Sequence, residues 1–568
     1  MTQPTRSANS TAFRWTQLSS IWPLMAPLLQ TWRRGGLLAL LGMLTMVSGG
    51  FQVWESVQRG EFISALAARD PERFQQALFT FIGILLATAL LLSVVAFVRD
   101  TLGLQWRQGL TRHFLKHYLG DRHYYRLSLS TSEPAIDNPD QRLSEDIRQV
   151  TQTLLLVGVI GLESVVQLIG FVSVLWVIST TLTGFLVVYA GVGTAIAVLV
   201  FGKRLTRINT EQLRREADFR FGLINLRENA ESIAFYRGQP AEGAVLNRFF
   251  TNAVTNFNRL IRWQLGLDFF QNGYQYLTFI LPSLILAPSI LAGQNEVGAI
   301  VQSQAAFDRI WLSLSLVVVQ FEQLTSLAAS VGRLDTLGRS LQILNHLPDD
   351  AIARQSSSVL TAENLTVLTP DGRRCLCEQV SFTVSAGESL LVTGPSGSGK
   401  SSLMKTLAGL WTQGHGTLKL PTDILFLPQR PYLTLGTLRQ QLLYPHGDDA
   451  ATDALLVQAL EQVNLSQLAQ LSLETQDDWS QRLSLGEQQR LSFARLLVQR
   501  PAYAILDEAT SAVAEAQEKS LYQRLQAAGI TAISVGHRDS LQSYHAQMLT
   551  LSFDRTWTLQ PLSEVSHV

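Results

Sequence analysis

Cysteine is scarce in this sequence, and neither sign of charge is in excess. The 568 residues include two cysteines, Cys375 and Cys377, and no second cysteine or histidine pair follows at the spacing of a zinc site. We therefore interpret both cysteines as reduced cytosolic thiols rather than metal ligands. The 45 basic and 45 acidic residues cancel, which argues against a nucleic-acid partner.

A signal peptide is also missing from the start of the sequence. Residues 1–30 lack a basic start followed by a compact apolar core and a small-residue cleavage site, so we expect this segment to stay on the chain. Instead, apolar bulk near flanking arginines predicts a helix in the cytoplasmic membrane interface. The apolar residues are Trp15, Ile21, Trp22, Leu24 and Leu28. A disordered leader is the alternative for residues 1–11 only.

Long apolar runs, in contrast, are abundant before residue 330. Each is long enough to cross a bilayer, which takes about 20 residues per helix. They predict six spans, near residues 36–54, 76–98, 153–178, 182–201, 269–292 and 298–324. Arginines are concentrated in the two long segments after the second and fourth spans. By the positive-inside rule, both termini and both long loops are cytoplasmic.

Charged residues inside two of the predicted spans indicate a polar pathway. Glu163 lies in the third span, and Asp308 and Arg309 lie in the sixth. Ionisable groups in a bilayer are costly and normally face a cavity or one another. We expect the three to line part of a water-filled substrate pathway. A buried structural pair, such as Asp308 with a basic group on a neighbouring helix, is an equally open alternative.

A soluble α/β region follows, and it begins with a phosphate loop. SLLVTGPSGSGKSSLMKTLAGLW (389–411) is an apolar strand, a glycine-rich turn and a helix, which is the context that makes such a match specific. The residues predicted to bind ATP are Gly394, Pro395, Ser396, Gly397, Ser398, Gly399, Lys400, Ser401 and Ser402. Backbone amides cradle the β-phosphate at the helix start, Lys400 neutralises the β- and γ-phosphates, and Ser401 supplies a hydroxyl to Mg²⁺.

Three further strand ends supply the other groups that ATP hydrolysis needs. Gln429 follows ILFLPQ (424–429) and offers a neutral oxygen to Mg²⁺ and an amide to water. Asp507 and Glu508 end the apolar strand YAILDE (503–508), Asp507 for the Mg²⁺ shell and Glu508 as general base toward the attacking water. His537 ends AISVGHR (532–538) and is placed to bond the γ-phosphate and to orient Glu508.

The stretch LSLGEQQR (483–490) indicates that the ATPase works as a pair of chains. Ser484 and Gly486 present a hydroxyl and an unhindered backbone amide at a helix start, which suits a γ-phosphate held by a different subunit. We expect that one chain cannot fold this turn onto its own phosphate loop.

With these motifs, residues 359 to about 550 resemble an ATP-binding cassette, and the whole chain resembles a half-transporter of the exporter-type fold. NPDQRLSEDI (138–147), ENAESIAFYRG (228–238), LTVLTPDGR (365–373), LLYP (442–445) and DWSQRLSLGEQQRLSFARLL (478–497) carry a closer resemblance. They are similar to the group of peroxisomal acyl-CoA, lysosomal cobalamin and bacterial BacA-like transporters. The resemblance implies a homodimer in which each ATP site takes Ser484 and Gly486 from the second chain.

The tips of the two long cytoplasmic loops are the expected coupling elements. Asn138, Pro139 and Asp140 form a helix start in the first loop, and Phe235 and Tyr236 lie beside the turn of the second. We expect these tips to dock on a nucleotide-binding domain, because exposed aromatic residues at a tip need a partner surface. An ordinary interhelical turn is the alternative.

Two positions depart from the pattern of the resembled family. Thr369 stands where cassettes usually stack an aromatic residue on adenine, so we expect weaker or differently supplied recognition of the base. Ala514 stands where the family has an aspartate that helps to link the two sites, so we expect altered coupling between them. The groups for hydrolysis are all present.

The expected fold is an α-helical six-span transmembrane domain fused to an α/β P-loop ATP-binding cassette domain. The predicted boundaries are residues 1–34 for the interfacial segment, 35–338 for the transmembrane domain, 339–358 for a linker and 359–568 for the cassette. We predict a multi-pass plasma (inner) membrane transporter driven by ATP and Mg²⁺, for a hydrophilic or amphipathic solute such as cobalamin or peptides. Lipid or acyl-CoA transport is the alternative, and an ATP-gated channel or regulator is the alternative from another class.

Overall fold

The computed structural model describes residues 32–129, 138–345, 352–447 and 451–562. The predicted interfacial helix, with Trp15, Ile21, Trp22, Leu24 and Leu28, lies outside the described residues. The chain divides into two compact units. The first comprises Met1–Gly120 and Ile136–Leu341, and the second comprises Asp121–Ala135 and Gln342–Val568.

The described part of the first unit is helical. Its helices, with the short helix α3 that belongs to the second unit, are α1 Trp32–Ala67, α2 Pro71–Leu119, α3 His123–Leu129, α4 Pro139–Gln141, α5 Ile147–Ile178, α6 Thr180–Ile196, α7 Lys203–Glu228, α8 Ala230–Phe235, α9 Gln239–Leu291, α10 Gly298–Val319 and α11 Phe321–Asn345. Turns of π-helix at Arg142–Asp146 and Ala197–Gly202 lead into α5 and α7. A turn of 3₁₀-helix at Gly120–Arg122 separates α2 from α3.

Capping residues explain where two of the long helices begin. The Asp70 side chain accepts hydrogen bonds from the amides of Glu72 and Arg73, both at 3.1 Å, and Pro71 takes the first helical position of α2. Ser179 is extended, and its hydroxyl accepts from the Leu182 amide. One residue therefore separates α5 from α6.

Five helical segments among the described residues are long and apolar enough to cross a membrane. They are Trp32–Ala67, Pro71–Leu129, Pro139–Ile178, Thr180–Glu228 and Gln239–Leu291. The sixth predicted span corresponds to α10, a helix of 22 residues that is not among these five. Gln302, Gln304, Asp308 and Arg309 lower its mean hydropathy. The first five spans thus have helical counterparts, which extend well beyond the predicted bounds.

The second unit is an α/β domain. Its strands are β1 Ala353–Ser356, β2 Leu360–Leu368, β3 Cys375–Val384, β4 Leu390–Thr393, β5 Gly414–Leu420, β6 Ile424–Leu427, β7 Gly436–Thr437, β8 Gln476–Asp477, β9 Tyr503–Asp507, β10 Thr531–Val535, β11 Gln547–Leu551 and β12 Trp557–Pro561. Its further helices are α12 Lys400–Leu407, α13 Leu438–Leu443, α14 Asp453–Gln462, α15 Ser466–Ala469, α16 Trp479–Arg482, α17 Leu485–Gln499 and α18 Glu515–Ala527, with a 3₁₀ turn at Asp539–Tyr544.

The six-stranded sheet of this unit positions the site. Its order is β12-β11-β4-β10-β9-β6, and all neighbours pair in parallel except β11 and β12. Parallel neighbours end at the same edge, so the residues that follow β4, β6, β9 and β10 come together there. Buried residues on both faces, such as Leu391 and Ile505, anchor these strands in two apolar clusters.

A second, four-stranded sheet has the order β1-β5-β2-β3. Its first strand, Ala353–Ser356, lies within the predicted linker of residues 339–358. The start of that linker is helical too, because α11 continues to Asn345. Both ends of the predicted linker therefore have regular structure.

Candidate functional site

The phosphate loop joins β4 to α12 through backbone conformations that favour glycine. Gly394, Gly397 and Gly399 have φ angles of 137°, 87° and 98°. A Cβ atom at Gly394 would lie 2.1 Å from the carbonyl oxygen of Leu551, the last residue of β11. Any larger residue at this position would push the loop off the neighbouring strand.

Lys400 is the first residue of α12 and is buried. Its Nζ donates to the carbonyls of Gly394 and Pro395 at 2.9 and 2.8 Å. Burial lowers the pKa of Lys400, and the nearby carboxylates of Glu508 and Asp507 partly oppose this shift. The ammonium group is thus held over the loop, where it can neutralise a phosphate.

Asp507 ends β9 directly beside the start of α12. The Ser401 hydroxyl donates to its Oδ1 at 3.2 Å, and burial raises the pKa of Asp507. A hydroxyl and a carboxylate are hard oxygen ligands of the kind that Mg²⁺ binds together with substrate phosphates, and that the Gln429 side-chain oxygen joins them remains a prediction. No cluster of three or more His, Cys, Asp or Glu suits a metal in the ranges 32–129, 138–345, 352–447 and 451–562. The residues fit an Mg²⁺ ion that takes part of its ligands from the nucleotide phosphates.

Glu508 is where the other predicted catalytic groups meet. Its φ is +48°, a left-handed conformation directly after β9, and its amide donates to the Val535 carbonyl of β10 at 3.1 Å. Gln429 Nε2 donates to one carboxylate oxygen at 2.7 Å, and His537 Nε2 lies 3.5 Å from the other. The structure therefore brings Gln429, Glu508 and His537 together on one carboxylate.

The stretch LSLGEQQR (483–490), whose first residues form what we call the signature turn, starts α17 in a capping box. The Ser484 hydroxyl accepts from the Glu487 amide at 3.4 Å, while the Glu487 carboxylate accepts from the Ser484 amide at 2.9 Å. A Cβ at Gly486 would lie 2.7 Å from the carbonyl oxygen of Ala512. In the described part of the chain, the hydrogen bonds of Ser484 stay within this turn, and Ser484 is exposed. The turn is thus available to a second molecule.

The predicted coupling residues all lie in the first unit. The backbone of Asn138 has a left-handed conformation, and this residue precedes Pro139 and Asp140 at the start of α4. Phe235 and Tyr236, at the end of α8, are 80% and 87% exposed. Their docking on a nucleotide-binding domain remains a prediction.

Sequence reasoning missed another part of the first long loop. Asp121–Ala135 belongs to the second unit, and Arg122 Nη1 donates to the Ala408 carbonyl at the end of α12 at 3.0 Å. A lone arginine among the many in this loop has no pattern that marks it.

Two of the charged residues predicted to line the pathway, Glu163 and Asp308, have neutral amide partners. Glu163 accepts hydrogen bonds from Gln52 at 2.5 Å and from Gln167 at 3.1 Å. Asp308 accepts from Gln275 at 2.8 Å, rather than from a basic group. Arg309 is half-buried on α10. Their place in a substrate pathway remains a prediction.

Two cavities of the first unit, of about 440 and 570 Å³, share part of their lining. Arg107 and Leu104 line both cavities, and Gln149 and Arg112 each line one. Neither cavity includes the three residues predicted for the pathway.

Comparisons with known proteins cover both parts of the chain. Residues 24–291 match the family model described as ABC transporter transmembrane region 2, and residues 377–511 match the one described as ABC transporter. An uncharacterised ABC transporter ATP-binding protein of Synechocystis is 42% identical over 548 residues, which are 94% of this chain and 83% of that one.

Two eukaryotic proteins are also similar over most of their length. The Arabidopsis thaliana protein named ABC transporter D family member 2, chloroplastic, is 36% identical over 92% of this chain and 85% of its own. The human lysosomal cobalamin transporter ABCD4 is 32% identical over 88% of each chain.

Proposed function

This chain belongs to the ABC transporters, within their D subfamily, and on that basis we propose that two identical copies move a hydrophilic or amphipathic solute across the plasma membrane. The chain is a multi-pass membrane protein whose cassette binds ATP and Mg²⁺ and couples ATP hydrolysis to transport. What we add by proposal is that the second copy is identical, that the solute is hydrophilic or amphipathic, and that the membrane is the plasma membrane.

One observation carries the pairing. Glu508 is held by Gln429 and His537 at one edge of the sheet, while Ser484 and Gly486 open a different helix and Ser484 remains exposed. A hydroxyl and a helix-start amide suit an anion. Two copies facing each other supply each phosphate loop with the signature turn that it lacks in its own chain.

The chemistry of the site follows from the positions of its side chains. Glu508 is poised as general base, and its hydrogen bond from Gln429 and its contact with His537 fix the orientation of the carboxylate. Lys400 neutralises phosphate charge, and Ser401 with Asp507 offers oxygen ligands. Bound Mg²⁺ would supply further neutralisation of the β- and γ-phosphates.

Polar groups inside the spans support a solute that is not purely apolar. The Glu163 cluster with Gln52 and Gln167, and the Asp308–Gln275 pair, join two carboxylates to amide groups of neighbouring helices, which supports a polar pathway. A relative that is similar over nearly the whole chain is named a cobalamin transporter. We therefore favour cobalamin or a peptide, with lipid or acyl-CoA as the second candidate.

Reconstituted vesicles test both levels of this proposal. ATP hydrolysis and ATP-dependent solute movement are measured with cobalamin, a peptide mixture and an acyl-CoA, each presented on either side of the membrane. We expect cobalamin or peptide to stimulate hydrolysis and to be moved. Movement of acyl-CoA alone would establish the second candidate.

Matched variants separate the chemistry from the transport. Glu508→Gln keeps the shape of the side chain and removes the base, so we expect hydrolysis to fall by about a hundredfold or more. Glu515→Gln, an exposed carboxylate in the first turn of α18, is the control and should behave as the parent. Hydrolysis that is unaffected by Glu508→Gln contradicts the assignment of the base.

A further inference from the structure

Gln489 is a buried glutamine in α17 whose side chain has three hydrogen-bond partners on two other segments. It is 1% exposed. Its Nε2 donates to the Gln429 carbonyl at 3.2 Å and to the Ser511 hydroxyl at 3.1 Å, and its Oε1 accepts from the Ala512 amide at 2.9 Å. One side chain of α17, which we call the signature helix, therefore contacts both the segment at Gln429 and the segment at Ser511 and Ala512.

Those two segments are themselves bonded to Glu508. The Gln429 side chain donates to the Glu508 carboxylate at 2.7 Å, and the Ser511 amide donates to the Glu508 carbonyl at 3.0 Å. The contacts form a closed ring of Gln489, Gln429, Glu508 and Ser511. Each member is hydrogen-bonded to the next; Gln489 is buried, whereas Gln429 and Ser511 are exposed.

The signature turn rests on the same ring. A Cβ at Gly486 would come within 2.7 Å of the Ala512 carbonyl oxygen, so the first turn of α17 is in close contact with the segment that Gln489 binds. Arg538 holds that segment from the other side, through the Ser511 carbonyl at 3.1 Å. Ala514, which ends the segment, makes no side-chain capping bond to α18. Gln489 is thus the side chain that ties this segment to the signature helix.

We propose that Gln489 is a positioning residue that couples the two ATP sites of the dimer. A change in the positions of Gln429 and Glu508, which face the nucleotide of their own chain, is passed through Gln489 to α17. That helix carries Ser484 and Gly486, which face the nucleotide of the other chain. The inference rests on the proposed pairing of two copies.

A buried glutamine that only fills space is the alternative, and a neighbouring residue provides the control. Gln489→Met keeps length and bulk but removes all three hydrogen bonds. Gln488→Met makes the same change one residue earlier, where, among the described residues, the side chain donates only to the carbonyls of Ser480 and Leu483. If hydrogen bonding to the ring matters, only Gln489→Met changes the coupling.

Mixed dimers measure the coupling directly. Two differently tagged chains are purified together, one of them carrying Glu508→Gln, so that each dimer has one intact general base. Independent sites would give the parent mixed dimer half the ATP hydrolysis rate of the parent homodimer. If the sites are coupled, we expect its rate to be lower than that half by about fivefold or more. With Gln489→Met in both chains, the mixed dimer should retain about half the rate of the Gln489→Met homodimer, whereas Gln488→Met should keep the parental deficit.

A measurement without nucleotide tests the ring independently of activity. Hydrogen exchange is followed by mass spectrometry in a peptide that covers residues 509–514. The Ala512 amide is bonded to Gln489, so Gln489→Met should speed its exchange, and Gln488→Met should not. Gln489→Glu keeps an acceptor for that amide and loses both donors, so it should restore the slow exchange but not the coupling.

The outcomes distinguish this inference from the proposed function. If the parent protein shows no hydrolysis that depends on Glu508, the proposed function fails. If hydrolysis is normal but the Gln489→Met mixed dimer keeps the parental deficit, or the parent shows no deficit, the role of Gln489 is wrong. If Gln489→Met does not fold, the same comparison is made with Gln489→Glu, for which unchanged coupling overturns the inference.

Discussion

Adding one methyl group at Gly486 is the sharpest test of how the signature turn is positioned. The new Cβ of Gly486→Ala would lie 2.7 Å from the Ala512 carbonyl oxygen and 3.6 Å from its carbonyl carbon. Both atoms are backbone and belong to the segment that follows the catalytic Glu508. Neither can rotate away as the end of a flexible side chain would, so one of the two segments must move.

The required shift sets the size of the effect. An ordinary contact begins at 3.4 Å, which is 0.7 Å more than the 2.7 Å available. Overpacking of this kind typically costs about 1–3 kcal/mol, and we take the signature turn to absorb roughly 0.5 Å of the shift. In the proposed pair of chains, the same displacement would move the Gly486 amide away from the phosphate of the other chain. Misplacement of a positioned group by about 1 Å costs on the order of a hundredfold in rate, so a loss of roughly tenfold in turnover is expected for half that shift.

Steady-state ATP hydrolysis and nucleotide binding separate this effect from general damage. Gly486→Ala should lower the rate while leaving ATP binding to the phosphate loop of the same chain within about twofold of the parent. Gly447→Ala is the matched control, because a Cβ there meets no atom within 4 Å and the backbone is not left-handed. A Gly486→Ala protein with parental turnover, or an equal loss in Gly447→Ala, would refute the reasoning.

Three further substitutions test other parts of the chain. Asp146→Ala removes a buried carboxylate that accepts from Ser330 at 2.9 Å and from Arg333 at 2.7 Å. The free energy of unfolding in detergent should fall by about 1.5–3 kcal/mol, seen as a lower melting temperature. Asp100→Ala, at an exposed ion pair, should leave the melting temperature unchanged. Ala514→Ser adds a hydroxyl at an extended N-cap position that has no side-chain cap, and calorimetry should show a gain of about 0.5–2 kcal/mol in the cassette; a loss would mean that the hydroxyl cannot reach the helix amides. Burial lowers the pKa of His545 from 6.5 to about 4, so the ring stays neutral in the folded cassette while it is protonated in the unfolded chain. Acidification from pH 6.5 toward 4 therefore favours the unfolded chain by about 3 kcal/mol. His545→Gln should remove this part of the acid sensitivity in melting curves recorded across that range.

The sequence predicts the residues of the ATP site because each stands at the end of an apolar strand or the start of a helix. Runs such as YAILD and AISV are buried throughout, and their parallel pairing brings Glu508 and His537 to one edge. Local pattern and sheet topology agree there, so spacing along the chain was a sufficient guide.

Other features were not predictable because they depend on contacts between distant segments. Gln489 differs from its neighbour Gln488 in no way that the sequence records, yet only Gln489 faces the ring around Glu508. The same holds for Arg122, whose bond to Ala408 joins residues that are 286 positions apart. The amide partners of Glu163 and Asp308 likewise come from neighbouring helices.

The membrane spans show where composition was an incomplete guide. Five predicted spans match long apolar helices, because a run of apolar residues has a low cost of transfer into lipid whatever its neighbours are. α10 is the exception, since Asp308 and Arg309 break its apolar run and its environment depends on the helices around it.

By itself, the sequence determined that this protein has a helical membrane region and an α/β ATP-binding cassette, and it predicts which residues bind phosphate, Mg²⁺ and water. These properties follow from hydropathy and from short motifs that act over one turn or one strand end. Only the tertiary structure decided which side chains restrain Glu508, because hydrogen bonds such as those of Gln489 form between segments whose separation along the chain carries no information about their distance in space.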